Sequence, residues 1–165
     1  MWYAILGAVL LAGDQILKYW VVTHLAVGES APFLPGFMQL TRLHNYGAAW
    51  SSLSGRTVLL VVFTAVLLAA VALLLIKKVV RHWTGITACT LILSGGIGNI
   101  IDRIVHGYVV DMFDLQLFSY PVFNLADCCV VVGAILGGIY YLFLYEKYDK
   151  RKKEPDHAHD PSDPS

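Results

Sequence analysis

The chain has 165 residues, 57% of them hydrophobic and only 15% charged, with a mean hydropathy of +0.62. Soluble domains carry about a quarter charged residues, so this composition excludes an ordinary soluble domain and points to membrane spans. The formal net charge is zero, which leaves no basic field to hold nucleic acid.

The first predicted span covers about residues 2–22 and contains Asp14 and Lys18. It lacks the basic start of a signal peptide, and its apolar stretch runs into an Asp and a Lys. Leu10-Leu11-Ala12-Gly13 has the form of a lipobox start, but Asp14 stands where the lipidated Cys would be, so no processing is expected there. Residues 23–56 then form a connection too long for a simple turn, with Pro32, Pro35, Gly36 and Gly47. Its apolar content (FLPGFMQLTRL) predicts a short sheet or an element lying on the membrane surface. The second span, residues 57–76, is without a charge, and at about 1.5 Å per residue it crosses a hydrocarbon core of about 30 Å.

The third span, about residues 84–105, is apolar until Asn99, Asp102 and Arg103. The fourth, about residues 121–145, is interrupted only by Asn124 and Asp127, and its Gly133-x-x-x-Gly137 predicts close helix packing. Residues 1–145 therefore read as one unit of four membrane helices. Residues 146–165 read as a basic, then Pro-rich and disordered, tail, in which His157 and His159 are weak metal candidates. Cys89, Cys128 and Cys129 lie in apolar runs without metal spacing and read as reduced packing residues.

Lys77, Lys78, Arg81, Lys147, Lys150, Arg151, Lys152 and Lys153 fall on one side of these spans, against Arg42, Arg56 and Arg103 on the other. The positive-inside bias predicts cytoplasmic N and C termini and an extracytoplasmic 23–56 segment. An ionisable group within a span is costly and marks function by default. Asp14 lies roughly 18 Å along the first span, Asp102 roughly 27 Å along the third and Asp127 roughly 9 Å below the outer end of the fourth. Asp111 and Asp114 sit in the outer connection. The carboxylates thus gather in the outer half of the bundle.

Helical spacing puts Asp14 with Lys18 and Asn99 with Arg103 at i,i+4, and Asn124 with Asp127 at i,i+3. Each pair also has a plain reading: an Asp14–Lys18 ion pair, an Asp102–Arg103 pair at a helix end, and a capping box of Asn124 with Asp127. Asp114 reads as an ordinary solvated loop residue. These readings do not account for the shared depth of the groups.

Five short motifs occur in order: Asp14-Gln15-Ile16-Leu17-Lys18, Asn45-Tyr46-Gly47-Ala48-Ala49, Gly98-Asn99-Ile100-Ile101-Asp102-Arg103, Val109-Val110-Asp111-Met112-Phe113 and Phe123-Asn124-Leu125-Ala126-Asp127. On these the chain resembles the bacterial lipoprotein signal peptidases (signal peptidase II). The resemblance implies an aspartic endopeptidase of the bacterial cytoplasmic membrane with its active site towards the outer face. It implies a catalytic dyad of Asp111 and Asp127, supported by Asp14, Lys18, Asn45, Asn99, Asp102, Arg103 and Asn124, without metal or cofactor. The implied substrates are diacylglyceryl-modified prolipoproteins, cleaved just before the lipidated Cys while their acyl chains stay in membrane lipid. The implied inhibitor is globomycin. Cys128 and Cys129 stand where the family suggests Ser or Ala, a departure read as neutral.

Two carboxylates sharing a site fit this chemistry, because like charges at close range keep one of them protonated. No His-Glu-x-x-His or Gly-x-Ser-x-Gly motif is present. A transporter would need polar groups along a whole path and inverted repeats, and a structural subunit would need none of the five motifs. The 23–56 segment is expected to cover the site as a clamp or lid.

Overall fold

The computed structural model describes residues 2–47 and 56–150. Ala48, Ala49 and Trp50, and the tail residues 151–165 with His157 and His159, lie outside them. Four helices are long and apolar enough to cross a membrane: α1 (Trp2–His24), α2 (Thr57–Ile76), α3 (Trp83–His106) and α4 (Leu125–Ile139), the last extended by wider turns over Tyr140–Leu144 and Glu146–Lys150. Between α1 and α2 lie strands β1 (Ser30–Leu34) and β2 (Met38–Asn45), and between α3 and α4 lies β3 (Val109–Leu115). The expected sheet between the first two spans is therefore present. Its third strand comes from the connection between α3 and α4, so the fold is mostly helical rather than all-α.

Helix α3 is the hub, with α1, α2 and α4 all packed on it. Small residues make this possible. A Cβ at Gly96 would meet the Leu68 side chain at 2.6 Å, and one at Gly95 would collide with the carbonyl oxygen of Ala126 on α4. The Gly133 motif packs as its spacing predicts, since a Cβ there would lie 2.8 Å from Ile92 of α3.

The sheet is antiparallel in the order β1-β2-β3. Its inner side packs Val110 and Met112 against Val21 and Leu25 at the end of α1. The β2–β3 register slips between the Leu40–Phe113 and Leu43–Asp111 pairs. This irregularity lies beside Asp111, where an extra residue re-aims neighbouring side chains. Gly107 ends α3 in the left-handed conformation (φ 82°), which glycine adopts without a Cβ clash and which turns the chain into β3.

Two expectations need correction. The fourth helix begins at Leu125, not near Pro121, because residues before it are held extended by a Phe113–Phe123 bridge. Asp114 is not a solvated loop residue. It lies in β3 opposite Gln39, whose side-chain amide donates to it at 2.7 Å, with the Thr41 hydroxyl at 3.1 Å.

Candidate active site

The first layer of the site is a buried charge cluster. Asp14, Lys18 and Asp102 are 1%, 3% and 1% exposed. The Lys18 ammonium lies 2.8 Å from Asp14 Oδ2 and 3.0 Å from Asp102 Oδ2, and donates to Asn99 Oδ1 at 3.0 Å. The remaining carboxylate oxygens accept backbone or amide donors. Asp14 Oδ1 takes the N–H of Ala126 at 2.9 Å and Asp102 Oδ1 the Gln15 amide at 3.2 Å, while Asp102 Oδ2 takes the N–H of Val110 at 3.1 Å beside the ammonium. One ammonium and two carboxylates thereby join α1, α3, β3 and the start of α4. The Asp14–Lys18 pair exists as the i,i+4 spacing suggests. Asp102, however, pairs with Lys18 across helices and not with Arg103, because it faces α1 while Arg103 turns towards β2.

Gln15 belongs to this layer and was overlooked as a site residue. Its amide donates to Asp14 Oδ2 at 3.2 Å, the Gly98 carbonyl at 3.3 Å and Asp102 Oδ1 at 3.2 Å. The signal was its position inside the Asp14–Lys18 turn, but a neutral side chain beside two charges drew no separate notice. The approach is close enough that a Cβ at Gly98 would sit 2.8 Å from Asp14 Oδ2.

The second layer holds Asp111 and Asp127. Asn124 caps α4, its Oδ1 accepting the Asp127 N–H at 2.9 Å, while Asp127 Oδ2 accepts the Asn124 N–H at 3.3 Å. This is the capping box that the sequence predicts, worth about 0.5–2 kcal/mol to the helix. The Asn124 Nδ2 meanwhile donates to Asp111 Oδ1 at 2.7 Å and Asn99 Oδ1 at 3.2 Å. Asn45 donates to Asp111 Oδ2 at 3.0 Å from β2, and Asn99 donates to Asp127 Oδ1 at 2.7 Å from α3. Three asparagines on three elements therefore orient both carboxylates.

Asp111 is buried. Burial first, and the charge of Asp127 second, push its carboxyl up to about 7, against the opposing pull of the Asn45 and Asn124 amides. That value suits a group that exchanges a proton near neutral pH. Arg103 extends away from Asp102 and donates to the carbonyls of Gly47 at 2.8 Å and Asn99 at 3.3 Å. It ties the end of the β2 segment to α3. Among the described residues no three His, Cys, Asp or Glu side chains converge as metal donors. Eight of the nine residues expected at the site fall within these two layers, and Arg103 lies at their edge.

A family profile described as signal peptidase (SPase) II matches residues 6–143. A lipoprotein signal peptidase of Enterococcus faecalis (strain ATCC 700802 / V583) is 41% identical over 151 residues, covering 92% of this chain and 93% of the relative. One from Streptococcus pyogenes serotype M2 (strain MGAS10270) is 43% identical over 128 residues, covering 77% and 84%. A bacterial membrane enzyme solved by the in meso method at 2.3 Å resolution superposes with a TM-score of 0.79 at 33% identity, covering 93% of each chain.

Proposed function

From the premise that this chain belongs to the signal peptidase II family, an aspartic protease family, we propose that Asp111 and Asp127 are the dyad with which it cleaves diacylglyceryl-modified prolipoproteins before the lipidated Cys. The observation that carries the dyad is the shared Asn124: one side chain bonds Asp111 and caps the turn that holds Asp127. Asp111, which burial pushes up to about 7, is the member we assign as the acid. Asp127 accepts from the Asn99 amide of α3 and from the Asn124 N–H at the start of α4, and is the member we assign as the base.

Asp127 takes a proton from the attacking water as its oxygen bonds to the scissile carbonyl carbon. Asp111 gives its proton to the carbonyl oxygen, forming a neutral tetrahedral intermediate. Its collapse breaks the C–N bond: the proton on Asp127 goes to the leaving amine, and Asp111 takes back the proton of one hydroxyl as the carbonyl re-forms. The dyad returns to a singly protonated state, and the two carboxyls titrate as a pair. Asn45, Asn99 and Asn124 hold the carboxylates in register. Lys18, Asp14 and Asp102 hold the asparagines and the helices that carry them.

The basic residues Lys77, Lys78, Arg81, Lys147 and Lys150 favour a cytoplasmic position for that end of the bundle, with both termini, and an outward-facing dyad in the bacterial cytoplasmic membrane. Residues 1–145 then form the peptidase unit and 146–165 a cytoplasmic tail. The substrate's acyl chains stay in the outer leaflet while its peptide enters beneath the β1–β2 hairpin, which acts as a clamp. Globomycin, which blocks family members, is expected to block this chain.

The test is cleavage of a lipidated precursor by Asp111→Asn and Asp127→Asn, made separately. Each is expected to lose about 10²-fold or more of the rate, the scale of a lost general acid or base. A normal rate from either variant refutes the dyad.

A further inference from the structure

At the end of the bundle away from the carboxylates, α1 and α2 flank an open face of α3. The groove between them is a cavity of about 400 Å³, lined by Ala4, Ala8 and Leu11 of α1, Leu75 of α2, and Leu93 and Ile97 of α3. This size lies within the range of small-molecule sites. Thr90 and Ser94 also line it, but their hydroxyls donate to the carbonyls of Ile86 at 2.8 Å and Leu91 at 3.1 Å. Tyr3 brings a third hydroxyl to its edge, and the rest of the lining is glycine or aliphatic, so the groove suits a hydrocarbon chain. It lies beside membrane-spanning helices on a side of α3 that Asn99 and Arg103 do not share.

The turn that follows Leu75, itself part of the groove's lining, carries charge of one sign. Helix α2 stops at Ile76, and Lys77, Lys78 and Arg81 follow, all exposed. Lys78 has φ +53°, a left-handed conformation that side-chain-bearing residues rarely adopt. It is held there by its N–H to the Leu75 carbonyl at 3.0 Å and by Arg81 Nε on its own carbonyl at 2.8 Å. Asp149 bonds to this turn, but its carboxylate is taken up by the backbone N–H groups of Arg81 and His82 at 3.1 Å and by the Tyr140 hydroxyl. Among the described residues no ion pair forms to Lys77, Lys78 or Arg81.

We infer that the α1–α2–α3 groove and the Lys77–Lys78–Arg81 turn form a binding site for one anionic phospholipid, its acyl chain along the groove and its phosphate at the turn. Charge selects the occupant: a clustered triad of cations beside a membrane attracts anionic headgroups, while the apolar groove accepts the chain of any lipid. The site is separate from the dyad and does not depend on the peptidase reading.

The experiment is native mass spectrometry of the full chain in detergent, titrated with phosphatidylglycerol or phosphatidylcholine carrying identical acyl chains. The wild type is expected to retain phosphatidylglycerol about tenfold more tightly or better. Lys77→Gln/Lys78→Gln/Arg81→Gln is expected to bring the two lipids to within about twofold. Ala8→Phe, at an exposed position in the groove, is expected to weaken both lipids alike. Retained cleavage of a lipidated precursor reports that each variant is folded. Equal retention of the two lipids by the wild type overturns the inference. So does an unchanged preference in the triple variant, or wild-type retention by Ala8→Phe.

Discussion

The side-chain amide of Asn124 donates to Asp111 at 2.7 Å. The oxygen of the same side chain caps the N–H of Asp127 at 2.9 Å. One residue therefore sets the start of α4 and orients a carboxylate on a strand.

Asn124→Ala removes both bonds. The cap is worth about 0.5–2 kcal/mol, so thermal stability is expected to fall by that amount. The lost bond to the Asp111 carboxyl, about 0.5–1.5 kcal/mol for a neutral partner, corresponds to a drop of about 2–10-fold in cleavage. Asn124→Ser, which restores a cap oxygen but not the amide donor, is expected to recover stability without recovering activity. Calorimetry and a precursor cleavage assay separate the two effects.

The Asp111 carboxyl near 7 predicts the alkaline limb of the pH profile. Cleavage is expected to decline as pH rises through about 7, because the proposed acid loses its proton. Asn45→Ala removes a donor that favours the ionised form, so this limb is expected to move to higher pH. An unmoved or lowered limb contradicts the assignment of Asp111 as the acid.

The same shift has a stability consequence of opposite sign to the usual carboxylate case. Between its ordinary value of 3.8 and about 7, Asp111 binds more proton in the folded than in the unfolded chain. Its contribution is therefore fully present below 3.8 and lost as pH rises through 7. Asp111→Asn has no such loss. It is expected to melt above wild type at pH 8, by a margin on the order of 2–4 kcal/mol, and close to wild type at pH 4.

Lys18→Met leaves Asp14 and Asp102 buried without their shared cation, at an expected cost of about 3–5 kcal/mol. Adding Asp14→Asn and Asp102→Asn removes the stranded charges, and thermal stability is expected to rise again. Recovery of cleavage along with stability in this triple variant identifies the cluster as a positioning device. Recovery of stability alone assigns Lys18 a direct part in the reaction.

Gly98→Ala and Gly95→Ala test how closely α3 must be approached. The new methyl at position 98 meets a carboxylate oxygen of the cluster at 2.8 Å, and at 95 it meets a backbone carbonyl that no rotamer can move. Overpacking of this kind costs about 1–3 kcal/mol. Gly95→Ala is expected to be the worse of the two by thermal melting.

Much of this architecture was legible in the sequence because it depends on local periodicity. The charge-free run 57–76 is α2, and the i,i+3 spacing of Asn124 and Asp127 is a capping box. Helical phase also showed that Asp14 and Lys18 share a face. Phase describes one helix at a time, however, and does not say which neighbour that face meets. The sequence thus leaves a pair with the adjacent Arg103 open for Asp102, whose partner is Lys18 on another helix. The strand that carries Asp111 escaped notice for a similar reason. Its pairing partner β2 lies far back in the chain across two membrane helices, and the segment Val109–Leu115 has too few residues to declare a strand by alternation alone. Gln15 was quoted within a motif but not weighed, since its role is defined only by Gly98 and Asp102 across the helix interface.

The order of the chain gives the Lys18 cluster a role during biogenesis as well. Helix α1 is synthesised long before α3, so for that interval Lys18 has only Asp14, four residues earlier on the same face. The two charges neutralise each other, and α1 can enter the lipid as an electrically self-contained rod. Asp102 arrives later and finds an ammonium already at depth, which offers its carboxylate a counter-ion that the surrounding hydrocarbon does not. The charge pair on α1 is complete within one helix, and α3 adds its carboxylate to an ammonium that α1 already carries.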